Sequence, residues 1–561
     1  MNRKKFGVIG TVIVLVFPII IGGHNSSPIS IEGDWTGGLE TPKGWIAFTV
    51  HFTKKDGKYA GTVDMPPGVL TAERSEEKPG LKDVSFAEGR LQFTLTDKEG
   101  DSIFEGFLEN SVFAGEYRKG NVSGRFQLVR IVSVEPGDFK GFLGEYERDG
   151  NNYISIFQMS QQGEEAVLAY YDAKTGRVGF FKALSETGFF SGKSPGSDFP
   201  IDVRVQFGRD ETGKTDRMVW RTGDSPQLTL RKASVFYTED VTYPSGDVTI
   251  AGSLRIPSGE GPFPAVVFVH GSGPGTRNQV SLLAHAFLHS GIAVLGFDKR
   301  GCGKSTGDWR RIDFPEMAQD VLAGVRFLQN HAKIEPRRVG LYGISQGGWI
   351  VSLAASLSRD VAFIISHSGP GVSPKKQEFT MLTNMLKMSG ISQEEIGDVL
   401  EAMELMYAFG RTGKGGDKLD AKVRELQKNP KLKEVTPPLS EDITWENLYE
   451  KSGQTIGDPG WFFHLDVDYD PVPALKKVRC PALILFGKHD FTVPVEESVA
   501  RIEAAFKASG YTEYVIRVFD NGAHGVLEVD PDNPLRPASP GRFIPGYFDI
   551  LIDWVKKSIA N

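Results

Sequence analysis

Gly343-Ile344-Ser345-Gln346-Gly347 is the stretch that decides how this chain reads. It follows a strand-like run, Val339-Gly340-Leu341-Tyr342, and leads into Gly348-Trp349-Ile350-Val351, where a helix can begin. A serine on a sharp strand-to-helix turn is held exposed at the top of a sheet, and the crowding there demands small residues two before and two after it. Gly343 and Gly347 supply them, and Gly348 leaves room for the helix to lie close on its strand. A bare G-x-S-x-G recurs by chance; the strand before and the helix after make this one specific.

A serine becomes a nucleophile only beside a base, and the base needs an orienting carboxylate. Asp490 follows the apolar run Leu483-Ile484-Leu485-Phe486, and His524 follows the run ending at Phe519, in Asp520-Asn521-Gly522-Ala523-His524-Gly525. Both positions lie just past strand C-termini, where a parallel sheet presents its site. Other histidines fit less well. His285, His289 and His331 fall on predicted helices, His489 precedes the acid, and His367 ends the next strand, where it can line a pocket. Asp466, Asp468 and Asp470 are rivals for the acid but lie in a linking segment.

Working outward, residues 236–561 alternate strands with helices, which predicts a mostly parallel sheet covered on both faces. The strands expected are 265–269, 292–297, 339–342, 362–366, 482–486 and 515–519, with an antiparallel pair, 241–243 and 248–256, in front. A helix over 315–330 puts Ala318, Val321, Leu322, Val325 and Leu328 on one face. From 373 to 469 the alternation stops. Ser392-Gln393-Glu394-Glu395 is a capping box opening one helix, and another covers about 376–387, so a helical cap is expected there. Met381, Met385, Met388, Met403 and Met406 cluster in it. Methionine suits an adaptable apolar wall; Met385 and Met406 are therefore candidate substrate-binding residues, against the plainer reading that the methionines pack the cap.

Residues 25–235 read as all-β, in short strands separated by turns such as Lys54-Lys55-Asp56-Gly57-Lys58. Pro136-Gly137 divides the region into halves, 30–132 and 137–235, which end alike in Phe126-Gln127-Leu128-Val129-Arg130 and Leu228-Thr229-Leu230-Arg231. This suggests a duplicated antiparallel sheet or barrel, more often filled by side chains than open to a ligand. At the front, Asn2-Arg3-Lys4-Lys5 precedes an apolar run from Phe6 to Ile21. Residues 1–24 therefore read as an export signal or an uncleaved membrane anchor, and either places the body outside the cytoplasm.

With 561 residues, the chain is long enough for two or three domains. The net charge of −7, with no basic run beyond the N-terminus, argues against nucleic acid as a partner. Two cysteines, Cys302 and Cys480, and no Cys/His zinc spacing leave no metal cage or disulfide scaffold to expect; free thiols or a single bridge remain. Gly303-Lys304-Ser305 looks like the end of a phosphate-binding loop, but the glycine needed five positions earlier is Asp298.

An acyl-transfer intermediate carries an oxyanion that preorganised donors must meet. The backbone N–H of Gln346 is one candidate. The loop His270-Gly271-Ser272-Gly273-Pro274 offers the second, Ser272 N–H, with Gly273 as alternate. Together with Asp298-Lys299-Arg300-Gly301-Cys302-Gly303-Lys304-Ser305, the serine turn, the segment 487–494 and the segment 521–525, this loop makes residues 236–561 resemble the α/β-hydrolase superfamily. They are most similar to bacterial carboxylesterases with an H-G-S-G-P loop, beside serine aminopeptidase-like and acyl-thioesterase-like members. The order Ser345, Asp490, His524 is that of these enzymes. The resemblance implies a metal-independent hydrolase without cofactor, forming an acyl-serine on a small-molecule ester. A peptidase or a thioester hydrolase is the alternative.

Overall fold

The computed structural model describes residues 30–560 apart from 42–43, 65–79, 98–99, 110, 150–151, 160–166, 194–196, 280, 434–464 and 539–540. The expected export segment, residues 1–24, lies outside the described residues.

Two antiparallel barrels come first. Eight strands lie between Gly33 and Val129, each paired with the next in sequence except the third with the fourth. The first, Gly33–Thr41, also pairs with the last, Val122–Val129. A bridge between Thr62 and Gly80 joins the third strand to the fourth and closes the ring. The second barrel, from Gly144 to Ala233, repeats the plan: Gly144–Asp149 pairs with both Asn152–Met159 and the last strand, Leu228–Ala233. Here the strands Arg177–Phe180 and Lys182–Ala183 pair on opposite sides, with Val167–Asp172 and Gly188–Gly192, so one kinked segment turns the corner.

Both interiors are filled. In the first barrel Phe93 stacks on Phe104 at 4.6 Å and Phe126 meets Phe104 edge-on at 5.3 Å. In the second, Phe142 stacks on Phe207 at 4.4 Å and Tyr170 packs on Trp220 at 5.0 Å. Val112, Val129, Phe190 and Phe199 form an apolar seam between the barrels. Gly38 is required at that seam, because a Cβ there would lie 2.3 Å from Phe199.

The third sheet runs, in spatial order, Phe236–Ser245, Val248–Pro257, Ala293–Phe297, Phe263–Val269, Ile334–Ile344, Ile364–His367, Ala482–Gly487, Tyr514–Phe519. The first two strands are antiparallel to their neighbours and the other six are parallel. The parallel strands are continuous apolar runs because helices cover both faces. On one face lie helices Phe314–Gln329, opened by an Asp313–Glu316 capping box, and Gln346–Leu357. On the other lie Ser281–His289 and the C-terminal Tyr547–Ala560. That second face is shared: Phe157, Ala169 and Tyr171 of the second barrel join Phe268, Phe287, Leu288 and Tyr547 in one core.

Helices Pro374–Met388, Gln393–Thr412 and Gly416–Leu426 form an insertion between the strands Ile364–His367 and Ala482–Gly487. Cys302 and Cys480 are free thiols, so the alternative of a bridge between them is corrected. Phe104 stands at the centre of the first barrel, and Phe104→Ala should destabilise that barrel by about 3–5 kcal/mol, read as a lowered midpoint in chemical denaturation.

Candidate active site

Ser345 sits between the strand Ile334–Ile344 and the helix Gln346–Leu357 with φ 53° and ψ −119°, a conformation that L-residues rarely adopt. Such a backbone costs about 1–3 kcal/mol and persists only where its surroundings over-determine it. Here Ser345 N–H donates to His367 O at 2.9 Å and Gly348 N–H donates to Ser345 O at 2.8 Å. A Cβ on Gly343 would lie 2.2 Å from Gly347 O, and one on Gly347 would lie 2.5 Å from Val269 O. The two glycines therefore let three backbone segments close around the serine.

Asp490 and His524 are brought together. His524 Nδ1 lies 2.7 Å from Asp490 Oδ2, and the carboxylate is fully buried. Its other oxygen accepts the amides of Thr492 and Val493 at 2.9 and 3.0 Å, which fixes the orientation of the acid. A carboxylate can only accept, so Nδ1 carries the proton and Nε2 remains basic. The acid and histidine loops are tied by the amides of Lys488 and His489, which donate to Phe519 O and Gly522 O.

The serine and histidine loops meet through Ser368, which sequence reasoning missed. Ser368 follows His367, the residue whose carbonyl holds Ser345 N–H. Its φ is 52°, and its hydroxyl accepts the amide of Gly525, next to His524, at 3.2 Å. Beneath, His367 is wholly buried against the hydroxyls of Tyr342 and Tyr547. Burial, followed by the neighbouring His524 charge, pushes its pKa down to about 3, so it is neutral.

The loop from His270 is held by a charge. Lys299 Nζ donates to Gly271 O at 2.6 Å and Gly273 O at 2.8 Å, and lies 3.3 Å from Gln346 Oε1. One ammonium thus ties the glycine loop to the residue after the nucleophile. In a trans peptide the N–H points opposite to the C=O, so turning Gly271 O toward Lys299 sends Ser272 N–H the other way. Asp298 anchors the other end of the loop, accepting from the Arg277 amide and guanidinium and from the Lys304 amide. The sequence showed Lys299 within the D-K-R-G pattern but gave no sign of what its ammonium holds. His270 bonds through Nε2 to Thr276 O at 3.0 Å, and burial pushes its pKa down to about 4; it shapes the loop.

Of the two methionines expected to line a substrate surface, Met406 turns inward and Met385 lies at the surface. Met406 is buried in the insertion's own core with Tyr407, Phe409, Leu419, Val423 and Val467, so its side chain fills the insertion. Met385 is 43% exposed on the helix Pro374–Met388. That helix does reach the site by another residue: Asn384 Nδ2 donates to Phe491 O at 2.7 Å, beside Asp490.

Residues 266–536 match the alpha/beta hydrolase family. The C-terminal part of this chain has the alpha/beta-hydrolase fold. Its relatives include a 31.7 kDa Escherichia coli protein from the traX-finO intergenic region, 26% identical over 271 residues, 47% of this chain and 85% of that protein. The quorum-quenching protein AidA of Acinetobacter baumannii is 32% identical over 171 residues, 30% of this chain and 56% of that protein. Esterase EstD of Thermotoga maritima is 22% identical over 334 residues, 57% of this chain and 69% of that protein.

Two outcomes follow for the hydrolase. Gly347→Ala drives a Cβ into the Val269 carbonyl. It should lower stability by about 1–3 kcal/mol and turnover by roughly 100-fold, read by thermal melting and steady-state kinetics. Burial pushes Lys299 down to about 8 from an ordinary lysine value near 10.5. The folded form therefore sheds this proton first, and between about pH 8 and 10.5 the unfolded chain binds more protons, so this residue adds stability as pH rises. Activity should move the opposite way, falling as pH rises through about 8 and the loop loses its anchor. Lys299→Met should lower kcat about 10–100-fold with little change in KM and abolish that alkaline fall, measured as kcat against pH.

Proposed function

We propose that this hydrolase is an exported serine carboxylesterase. The single observation that carries the catalytic part is the Asp490–His524 pair at 2.7 Å, tied through Ser368 and His367 to a serine in a strained turn. In this reading Ser345 Oγ attacks an ester carbonyl while His524 Nε2 takes its proton, and Asp490 steadies the imidazolium. The amides of Gln346 and Ser272 meet the oxyanion, with Lys299 holding the glycine loop that presents the second. His524 then protonates the leaving alcohol, and water repeats the sequence on the acyl-serine to release the acid. The helical insertion acts as a lid over the acyl side, and Asn384 links it to the acid loop.

The similarity to a named esterase supports ester over peptide substrates, as does the form of the N-terminal region. Two filled barrels are not the propeller of a prolyl-oligopeptidase-type peptidase. The apolar run Phe6 to Ile21 after Asn2-Arg3-Lys4-Lys5 supports export.

The reading is tested by kcat/KM for a short-acyl nitrophenyl ester and an aminoacyl nitroanilide, with Ser345→Ala as control. A large ester preference, lost in a variant that melts like the wild type, is expected. Anilide turnover comparable with ester turnover would make the enzyme a peptidase, and full ester activity in Ser345→Ala would remove the mechanism.

A further inference from the structure

Away from Ser345, three titratable side chains converge where the second barrel meets the hydrolase. Glu145 comes from the barrel strand Gly144–Asp149, and His285 and His289 stand one turn apart on the helix Ser281–His289. Glu145 Oε1 lies 2.5 Å from His285 Nδ1, and Oε2 lies 2.8 Å from His289 Nε2. One ligating atom from each residue lies within 4.8 Å of the others. We propose that Glu145, His285 and His289 bind one borderline divalent transition-metal ion of the zinc type, which bolts the second barrel to the hydrolase domain.

Four observations support this. First, the donors are right: two imidazole nitrogens and one carboxylate oxygen form a common zinc set, and histidines four apart on a helix present both rings to one side. Second, Glu145 Oε1 and His285 Nδ1 are buried and lack a hydrogen-bond partner although they lie 2.5 Å apart. They approach without hydrogen-bond alignment, so both atoms are open to an ion. At metal distances of about 2.0–2.1 Å and tetrahedral angles the pair would open to roughly 3.3 Å, a shift that side-chain rotation can supply. Third, an outer shell is in place. Ser155 Oγ donates to Glu145 Oε2 at 2.7 Å, and the rings are braced by Tyr153 on His289 and by Phe157 and Phe236 on His285. Fourth, a groove of about 500 Å³ borders the cluster at Glu145 and Phe236.

Charge points the same way. A fully buried anion needs a compensating cation, and a divalent ion provides one with both imidazoles neutral. The three ligands leave a fourth position for water. The ion takes no part in the Ser345 chemistry.

The test uses the full chain without an affinity tag, stripped with a chelator and dialysed. Zn2+ is titrated in competition with a chromogenic chelator, and Co2+ is added to the wild type to record its visible ligand-field bands. One equivalent of Zn2+ should bind, raise Tm by several degrees and leave hydrolytic kcat unchanged. Co2+ should give the bands of a four-coordinate nitrogen–oxygen site. His289→Gln and Glu145→Gln should each weaken binding more than tenfold, and near-UV circular dichroism reports whether they fold. If folded wild-type protein takes up no stoichiometric Zn2+ and gives no Co2+ bands, the cluster is a hydrogen-bonded clamp only and the proposal is overturned. Binding undiminished in both folded variants would overturn it equally.

Discussion

The close approach of three backbone segments around Ser345 is the constraint on which the catalytic half depends. Gly343, Gly347 and Val269 come so near one another that a single added methyl group has nowhere to go. A turn with φ 53° is unfavourable by itself, so its persistence reflects the sheet, the following helix and the glycine loop pressing on it together. The same compression sets the register of the parts that act on the serine. His367 reaches Ser345 through its carbonyl, Ser368 reaches the His524 loop through its hydroxyl, and the Val269 strand end launches the loop that Lys299 holds.

Polar contacts then supply orientation. Asp490 is fixed by two amides before it meets His524, so the imidazole has one tautomer and one direction. Lys299 does the corresponding work for the glycine loop, with an ammonium that accepts burial because carbonyl oxygens surround it. Neutral His367 lies below, packed between two tyrosines, and adds no charge that would compete with His524.

Much of this arrangement is legible in the sequence where the signal is local. The serine turn announces itself by its glycines, and Asp490 and His524 by their positions just after apolar strands. What is not legible depends on distant neighbours. The strand Gly33–Thr41 is hidden because Gly37 and Gly38 break its apolar pattern, and Gly38 is there to make room for Phe199. Ser368 lies in no motif; its role comes from a positive φ that aims its hydroxyl at a loop far along the chain. Composition does not show which methionine of the insertion is buried and which is exposed. Met406 belongs to a small core that a helical insertion of this length needs for itself. His285 and His289 read as ordinary helix residues until the barrel brings Glu145 between them.

The shared core across the domain seam bears on how such a chain can arise and change. Phe157, Ala169 and Tyr171 of the second barrel are buried in the same apolar cluster as Phe268, Phe287 and Tyr547 of the hydrolase. A cut near Phe236 would strip that face and leave a broad apolar surface open to water. The barrels are therefore not a detachable accessory that recombination can exchange freely. Any other module placed before this hydrolase would have to bring its own aromatic residues to the same spot, and the two parts of the gene must change together.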